Sequence, residues 1–185
     1  ILTSVAGTSM LLLLVLTMVV SLIMGMGVPT TAAYLVLASL VAPTMIQLGI
    51  PPLAAHMFIF YFGCISSITP PVALAAYAGA HIAGCDMMKT GIQATKLGIS
   101  AFLMPFMFVY SPALLMEGSV AEILRCLVTC LIGSFGLAMA VEGYLSGKLH
   151  IIFRVACFAA ALLLIDQGLV TDIIGIGILA AVILL

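Results

Sequence analysis

The sequence has very little charge. Asp, Glu, Lys and Arg make up 6% of its 185 residues, and none occurs before Asp86. An ordinary soluble domain is charged at about a quarter of its positions, because its surface must be solvated. A soluble globular domain is therefore excluded. The five Lys and Arg residues form no basic patch, so a nucleic-acid surface is excluded as well. The formal net charge of -1 points to no charged partner. Barrel strands need ~10-residue segments of alternating polarity, and the apolar stretches do not alternate. No basic segment precedes the first apolar run, so that run does not read as a signal peptide.

What is present is hydrophobic sequence, 65% of the chain, in long continuous runs. A helix rises 1.5 Å per residue, so a ~30 Å hydrocarbon core takes about 20 residues. The runs fit that length, and the expected fold is an all-α polytopic membrane protein. The first segment is expected from Thr3 to Met26 and the second from Thr31 to Leu48, with Pro43 inside it. A third runs from Leu53 to Ser67, breaks at Ile68-Thr-Pro-Pro71, and resumes from Val72 to Gly84. Neither half spans comfortably alone, so the pair reads as one discontinuous transmembrane helix. Asp86 to Lys96 reads as an amphipathic interfacial helix. Further spans are expected over Leu97 to Met116, Ile123 to Leu145 and Ile151 to Ile165, with a seventh starting near Asp172. The sequence opens on Ile1 and closes within an apolar run, and reads as part of a longer polypeptide.

Basic residues orient the chain. Lys89 and Lys96 precede the fourth span, and Lys148 and Arg154 flank the turn between the fifth and sixth. Two crossings separate these clusters, which puts them on one side, cytoplasmic by the positive-inside rule. Glu117, Glu122, Asp166 and Asp172 then fall toward the outer side, with Arg125 the basic exception.

Two uncharged interruptions carry the chemistry: Gly25-Met-Gly-Val-Pro-Thr-Thr31 and Gly63-Cys-Ile-Ser-Ser-Ile-Thr-Pro-Pro71. Unpaired backbone groups in lipid cost several kcal/mol each. Broken backbone at membrane depth is tolerated where it is buried in protein or lines a wet cavity. Gly, Pro, Ser and Thr also serve as ordinary packing and kink residues in membrane helices. Two clustered breaks in neighbouring segments favour a shared polar site. Pro29, Pro70 and Pro71 open the helix without orphaning a donor. Gly25, Gly27 and Gly63 permit close approach, and Thr30, Thr31, Ser66, Ser67 and Thr69 supply hydroxyls. Unwound carbonyls and hydroxyls suit Na⁺, while half-helix N-termini suit an anion. The first break reads equally as a kink or as the tip of a re-entrant hairpin.

At these residues the sequence resembles the large permease subunit of the tripartite ATP-independent periplasmic (TRAP) transporters. The similarity is carried by Gly25-Met-Gly-Val-Pro-Thr-Thr-Ala-Ala-Tyr34 and the run to Pro43, then by Leu48-Gly-Ile-Pro-Pro-Leu-Ala-Ala-His56 and Ile68-Thr-Pro-Pro-Val-Ala-Leu-Ala-Ala-Tyr77. It covers residues 1 to 116 and is strongest to the fused permeases that work with a TAXI-type solute-binding protein. The remainder resembles the membrane extension of those fused permeases. The resemblance implies an elevator-type ion transporter fold with a re-entrant helical hairpin, in the bacterial or archaeal inner membrane. It implies Na⁺-coupled uptake of a small organic acid delivered by a periplasmic TAXI-type binding protein. The rest of the permease chain, including a small-subunit-like region, and the lipid bilayer are the other implied partners. Gly25 to Thr31 would be the hairpin tip. Na⁺ would be held by carbonyls near Gly25, Gly27 and Gly63 and by Thr69, with no other cofactor. Pro29 departs from the acidic residue that many family members outside the TAXI type carry there, so coordination falls to neutral oxygens.

The implied domains are residues 1–84 for the transport part, 85–116 for the interfacial helix and following span, and 117–185 for the extension. His56 and His81 end the broken span and read as interfacial hydrogen-bonding residues more than as proton carriers. Arg125 and Glu122, one turn apart, read as an interfacial ion pair. Cys126 and Cys130 read as packing residues before a metal or redox pair. The 12 methionines read as packing and lipid-facing residues. Two other functional classes remain open: a non-transporting scaffold, and an intramembrane enzyme built from Ser66, Ser67 and His56 or His81.

Overall fold

The structure is a computed structural model that describes residues 10–145, 147–165 and 168–184. The start of the first predicted segment and Asp166 lie outside these residues. The chain divides into two compact units, residues 1–109 and 110–185. The described residues are helical and contain no strand, only an isolated bridge between Tyr144 and Lys148.

Among the described residues the first unit holds seven α-helices: α1 (Met10–Gly25), α2 (Thr30–Leu40), α3 (Ala42–Gln47), α4 (Pro52–Ile65), α5 (Leu74–Ala83), α6 (Met87–Leu97) and α7 (Ile99–Tyr110, whose last residue belongs to the second unit). α1 and α2 pack against α4, and α5 packs against α6. The predicted second segment is two helices because Pro43 interrupts it. Pro43 has no N–H to give the preceding turn, and it sits in the first turn of α3, after a break at Val41. Phe58 and Phe62 of α4 are fully buried and meet Phe106 of α7 edge-on, at centroid distances of 5.3 and 6.0 Å. α6 starts on Asp86, whose carboxylate accepts from the Lys89 N–H at 2.7 Å. It is the amphipathic helix that the sequence led us to expect.

The second unit holds α8 (Val120–Glu142), α9 (Ile151–Ile165) and α10 (Leu169–Leu184). α8 begins at a capping box: the Ser119 hydroxyl accepts from the Glu122 N–H, and the Glu122 carboxylate accepts from the Ser119 N–H at 2.8 Å. The helices pack closely through glycine. A Cβ on Gly175 would lie 2.7 Å from Leu164 Cγ, and one on Gly136 would lie 2.8 Å from Leu179 Cδ2. Cys126 and Cys130 are buried along α8. Among the described residues no group of three or more His, Cys, Asp and Glu is placed to hold a metal.

Arg125 differs from the sequence expectation. Its Nε and Nη2 both donate to Asp172 Oδ2, at 2.8 and 2.6 Å, and so tie α8 to α10. The Glu122 carboxylate accepts from Ser119 and still feels the positive charge of Arg125. Sequence spacing proposes only local pairs, whereas this one spans 47 positions.

Among the described residues, α8 alone is long and apolar enough to cross a membrane by itself. α6 and α7 pass the same test as a pair bent by 42°. The other apolar runs are expressed as helices of 10–17 residues. Gly or Pro bounds α2 to α5 short of the ~20 residues of a straight span.

Candidate functional site

Both interruptions predicted from sequence are real breaks. α1 ends at Gly25, and helix resumes at Thr30 after Pro29. α4 passes into a single 3-10 turn, Ser66–Ile68, and helix resumes only at Leu74. The Pro70–Pro71 peptide between them is cis.

The two breaks meet. A Cβ added to Gly25 would fall on the Ser66 hydroxyl, 2.9 Å from Ser66 Cβ and 3.0 Å from the Gly63 carbonyl oxygen. Only glycine fits this approach. Thr30 Cγ2 lies 3.7 Å from the position a Gly63 Cβ would take. Between the breaks is a cavity of about 260 Å³, walled by residues 25–30 on one side and by Ser66, Ser67, Val72 and Leu74 on the other.

Two uncapped helix starts border this cavity. α2 begins after Pro29, and α5 begins after Ala73, each without a side-chain cap. Their first-turn N–H groups have no intrahelical acceptor and carry the positive end of the helix dipole. Ala73 is fully buried and left-handed, with φ 34°. A residue with a Cβ is strained there, by about 1–3 kcal/mol, and this conformation turns the chain into α5. The hydroxyls behave differently from the N–H groups. Ser66 donates to Gly63 O and Ser67 to Cys64 O, both at 2.7 Å, and Thr69 donates to Ile65 O at 2.8 Å. Each proton is held by the preceding turn, so the oxygen lone pairs are left to accept.

Of the predicted site residues, Gly25, Gly27, Pro29, Thr30, Ser66 and Ser67 line the cavity. Gly63 is buried behind Gly25. Thr69 and Pro70 are half-buried outside the lining, and Thr31 and Pro71 are exposed. His56 accepts or donates a 3.1 Å hydrogen bond to the Tyr34 hydroxyl, while His81 is exposed.

The model of one protein family, the DctM component of the tripartite ATP-independent periplasmic transporters, matches residues 1–123. The chain belongs to this family. It is a permease component of a TRAP transporter, an inner-membrane protein whose partners are a periplasmic binding protein and the surrounding lipid. No curated protein and no solved structure matches it. The family is one of transporters, not of enzymes.

The TRAP permease holds its second break with residues that sequence reasoning passed over. α6 lies against the break through Gly91, where a Cβ would stand 2.9 Å from Tyr77 Cε1 and 3.3 Å from Pro70 Cγ. One turn on, Thr95 shares its hydroxyl between Ile68 O and Gly91 O, both at 3.0 Å. The Tyr77 hydroxyl donates to Pro71 O at 2.9 Å. The signal available in the sequence was Gly91 and Thr95 at i, i+4 on an amphipathic helix. Thr17 and Ser21 of α1 were also missed. Both are fully buried, neither hydroxyl has a partner, and with Gly25 they form an i, i+4, i+8 line.

Thr95→Val deprives the Ile68 carbonyl of a hydrogen bond at nearly constant side-chain volume. The expected cost is about 1 kcal/mol, read as a lower thermal midpoint and faster amide exchange at residues 66–73. Unchanged exchange there would remove Thr95 from the structure of the break.

Proposed function

We propose that this TRAP permease performs Na⁺-coupled uptake of a small carboxylate at the cavity between its two helix breaks. The observation that carries the reading is the meeting of opposite electrostatic features in one 260 Å³ space. Uncapped N-termini of α2 and α5 suit the substrate carboxylate. The acceptor oxygens of Ser66 and Ser67, with the carbonyls near Gly25, Gly27 and Gly63, suit a Na⁺ among neutral ligands. Thr69 belongs to the same turn and supports that wall through Ile65 O.

On this reading the turn from Gly25 to Thr31 is the tip of a re-entrant hairpin, and α4 to α5 is a discontinuous transmembrane helix. Together they move as the transport part of an elevator in a multi-pass membrane domain. A TAXI-type binding protein delivers the substrate, and the rest of the permease completes the site. Residues 117–185 act as a membrane extension. Its tight three-helix packing favours a scaffold role for this part of the chain.

The test is uptake by the intact permease in proteoliposomes with its binding protein. Uptake is expected to need a Na⁺ gradient. Ser66→Ala and Ser67→Ala, each removing one acceptor oxygen, are expected to raise the half-saturating Na⁺ concentration about tenfold, about 1.4 kcal/mol of ion binding. Uptake that proceeds without Na⁺ overturns the coupling. An unchanged Na⁺ titration in both variants removes the serines from the ion site.

A further inference from the structure

The turn between α8 and α9 is flanked by two basic residues, Lys148 and Arg154, and one acidic residue, Glu142, and no ion pair joins them among the described residues. Arg154, in the first turn of α9, reaches back to the end of α8. Its Nε donates to Ala140 O at 2.8 Å and its Nη2 to Val141 O at 2.9 Å. This caps two carbonyls of the last turn of α8 and suits the negative end of that helix. A guanidinium has five N–H donors, so three remain after these two bonds. Among the described residues no carboxylate pairs with Arg154; the ion pair found there is between Arg125 and Asp172. The same turn carries Lys148, exposed and likewise without a carboxylate partner.

The surroundings are apolar. A groove of about 340 Å³ is lined by Ala140, Val141, Ile151, Arg154, Val155 and Phe158. Ile151, Val155 and Phe158 stand at i, i+4 and i+7 on α9 and are 61%, 62% and 45% exposed. At 1.5 Å per residue they form an apolar track about 10 Å long that starts beside the guanidinium. Among the described residues α8 alone is by itself long and apolar enough to cross a membrane, and such a crossing would put its last turn at the membrane surface. A half-buried cation at that depth, with donors to spare, favours an anionic partner. The anion must bring an apolar body to cover the track, which inorganic phosphate cannot do.

We propose that this groove binds an acidic phospholipid, with the headgroup phosphate on Arg154 and Lys148 and one acyl chain along Ile151, Val155 and Phe158. Charge complementarity selects the headgroup, and the exposed track selects a lipid over a soluble anion. Gly143 makes the arrangement possible. It holds a left-handed φ of 70°, and a Cβ there would lie 2.9 Å from Arg154 Nε, so the guanidinium lies flat on the turn where only glycine leaves room.

The test is native mass spectrometry of the intact permease from nanodiscs of equimolar phosphatidylglycerol and phosphatidylcholine. Retained phosphatidylglycerol is expected to exceed phosphatidylcholine. Arg154→Gln, which keeps a donor for the Ala140 carbonyl and removes the charge, is expected to lower that preference about fivefold, the effect of one cationic side chain at a membrane surface. Val155→Trp fills the groove at an exposed position and leaves the Arg154 bonds intact. It is expected to lower retention to a similar extent, and it keeps the test valid should the Arg154 variant fail to fold. Lys89→Gln, in the other unit, is expected to change nothing. Millimolar inorganic phosphate is expected not to displace the lipid. Full retention in Val155→Trp, an equal loss in Lys89→Gln, or displacement by phosphate each overturns the proposal.

Discussion

Gly25→Val will abolish substrate uptake while leaving the permease inserted in the membrane. A Cβ at Gly25 meets Ser66 Cβ at 2.9 Å and the Gly63 carbonyl at 3.0 Å, and it falls on the Ser66 hydroxyl. A flexible side chain could swing away from such a contact, but a backbone carbonyl cannot. Overpacking of this kind costs about 1–3 kcal/mol where the surroundings can shift. Relieving the carbonyl contact moves the two breaks apart and disturbs the cavity between them. The smaller change Gly25→Ala should reduce initial uptake at least tenfold. Adding Ser66→Gly removes two of its three close contacts and should restore part of the loss. Wild-type uptake in Gly25→Val, at matched protein levels, would separate transport from the meeting of the breaks.

The second large effect is expected far along the chain, at Arg125. Arg125→Ala should destabilise the permease by about 3 kcal/mol, the low end of what one-sided removal of a buried pair costs. Asp172 is the reason. Its side chain is 8% exposed against 36% for Arg125, and its Oδ1 has no hydrogen-bond partner at all. Removing the guanidinium strands a buried carboxylate, whereas removing Asp172 leaves a cation that can turn toward water. Asp172→Asn should therefore cost clearly less than Arg125→Ala. Pairing Arg125→Met with Asp172→Leu should recover most of the loss, since no buried charge remains. The thermal midpoint in detergent measures all three. Equal midpoints for the two single variants would mean that burial at Asp172 does not govern the pair.

These two sites mark what the sequence reveals and what it conceals. The breaks at Gly25–Thr31 and Gly63–Pro71 were legible because their causes are local. Proline withholds an N–H, and glycine admits angles and contacts closed to other residues. The starts of α6 at Asp86 and α8 at Ser119 have the same local character. That Gly25 touches Ser66 depends on how α1 and α4 are rotated against each other, and no spacing within either segment encodes it. The same holds for Gly91 against Tyr77 and for Arg125 against Asp172. Helix length was only half legible. Hydrophobicity reports that residues 31–48 are apolar, but Pro43 and the break at Val41 decide that no single helix runs through them. Thr69 shows the limit at a single side chain. Its identity marked it for the site, but no spacing encodes that its hydroxyl donates to Ile65 O.

If Na⁺ binds where we propose, Ser66 and Ser67 have a consequence for how the ion is chosen. Their protons are committed to Gly63 O and Cys64 O, and no formally charged side chain stands beside them in the lining. A carboxylate would attract any cation from a distance, in proportion to charge alone. A wall of uncharged oxygens exerts almost no pull until an ion sheds water and touches it. Discrimination then rests on radius and on the cost of dehydration. Such a wall would sort ions at contact and would not gather them from the bulk.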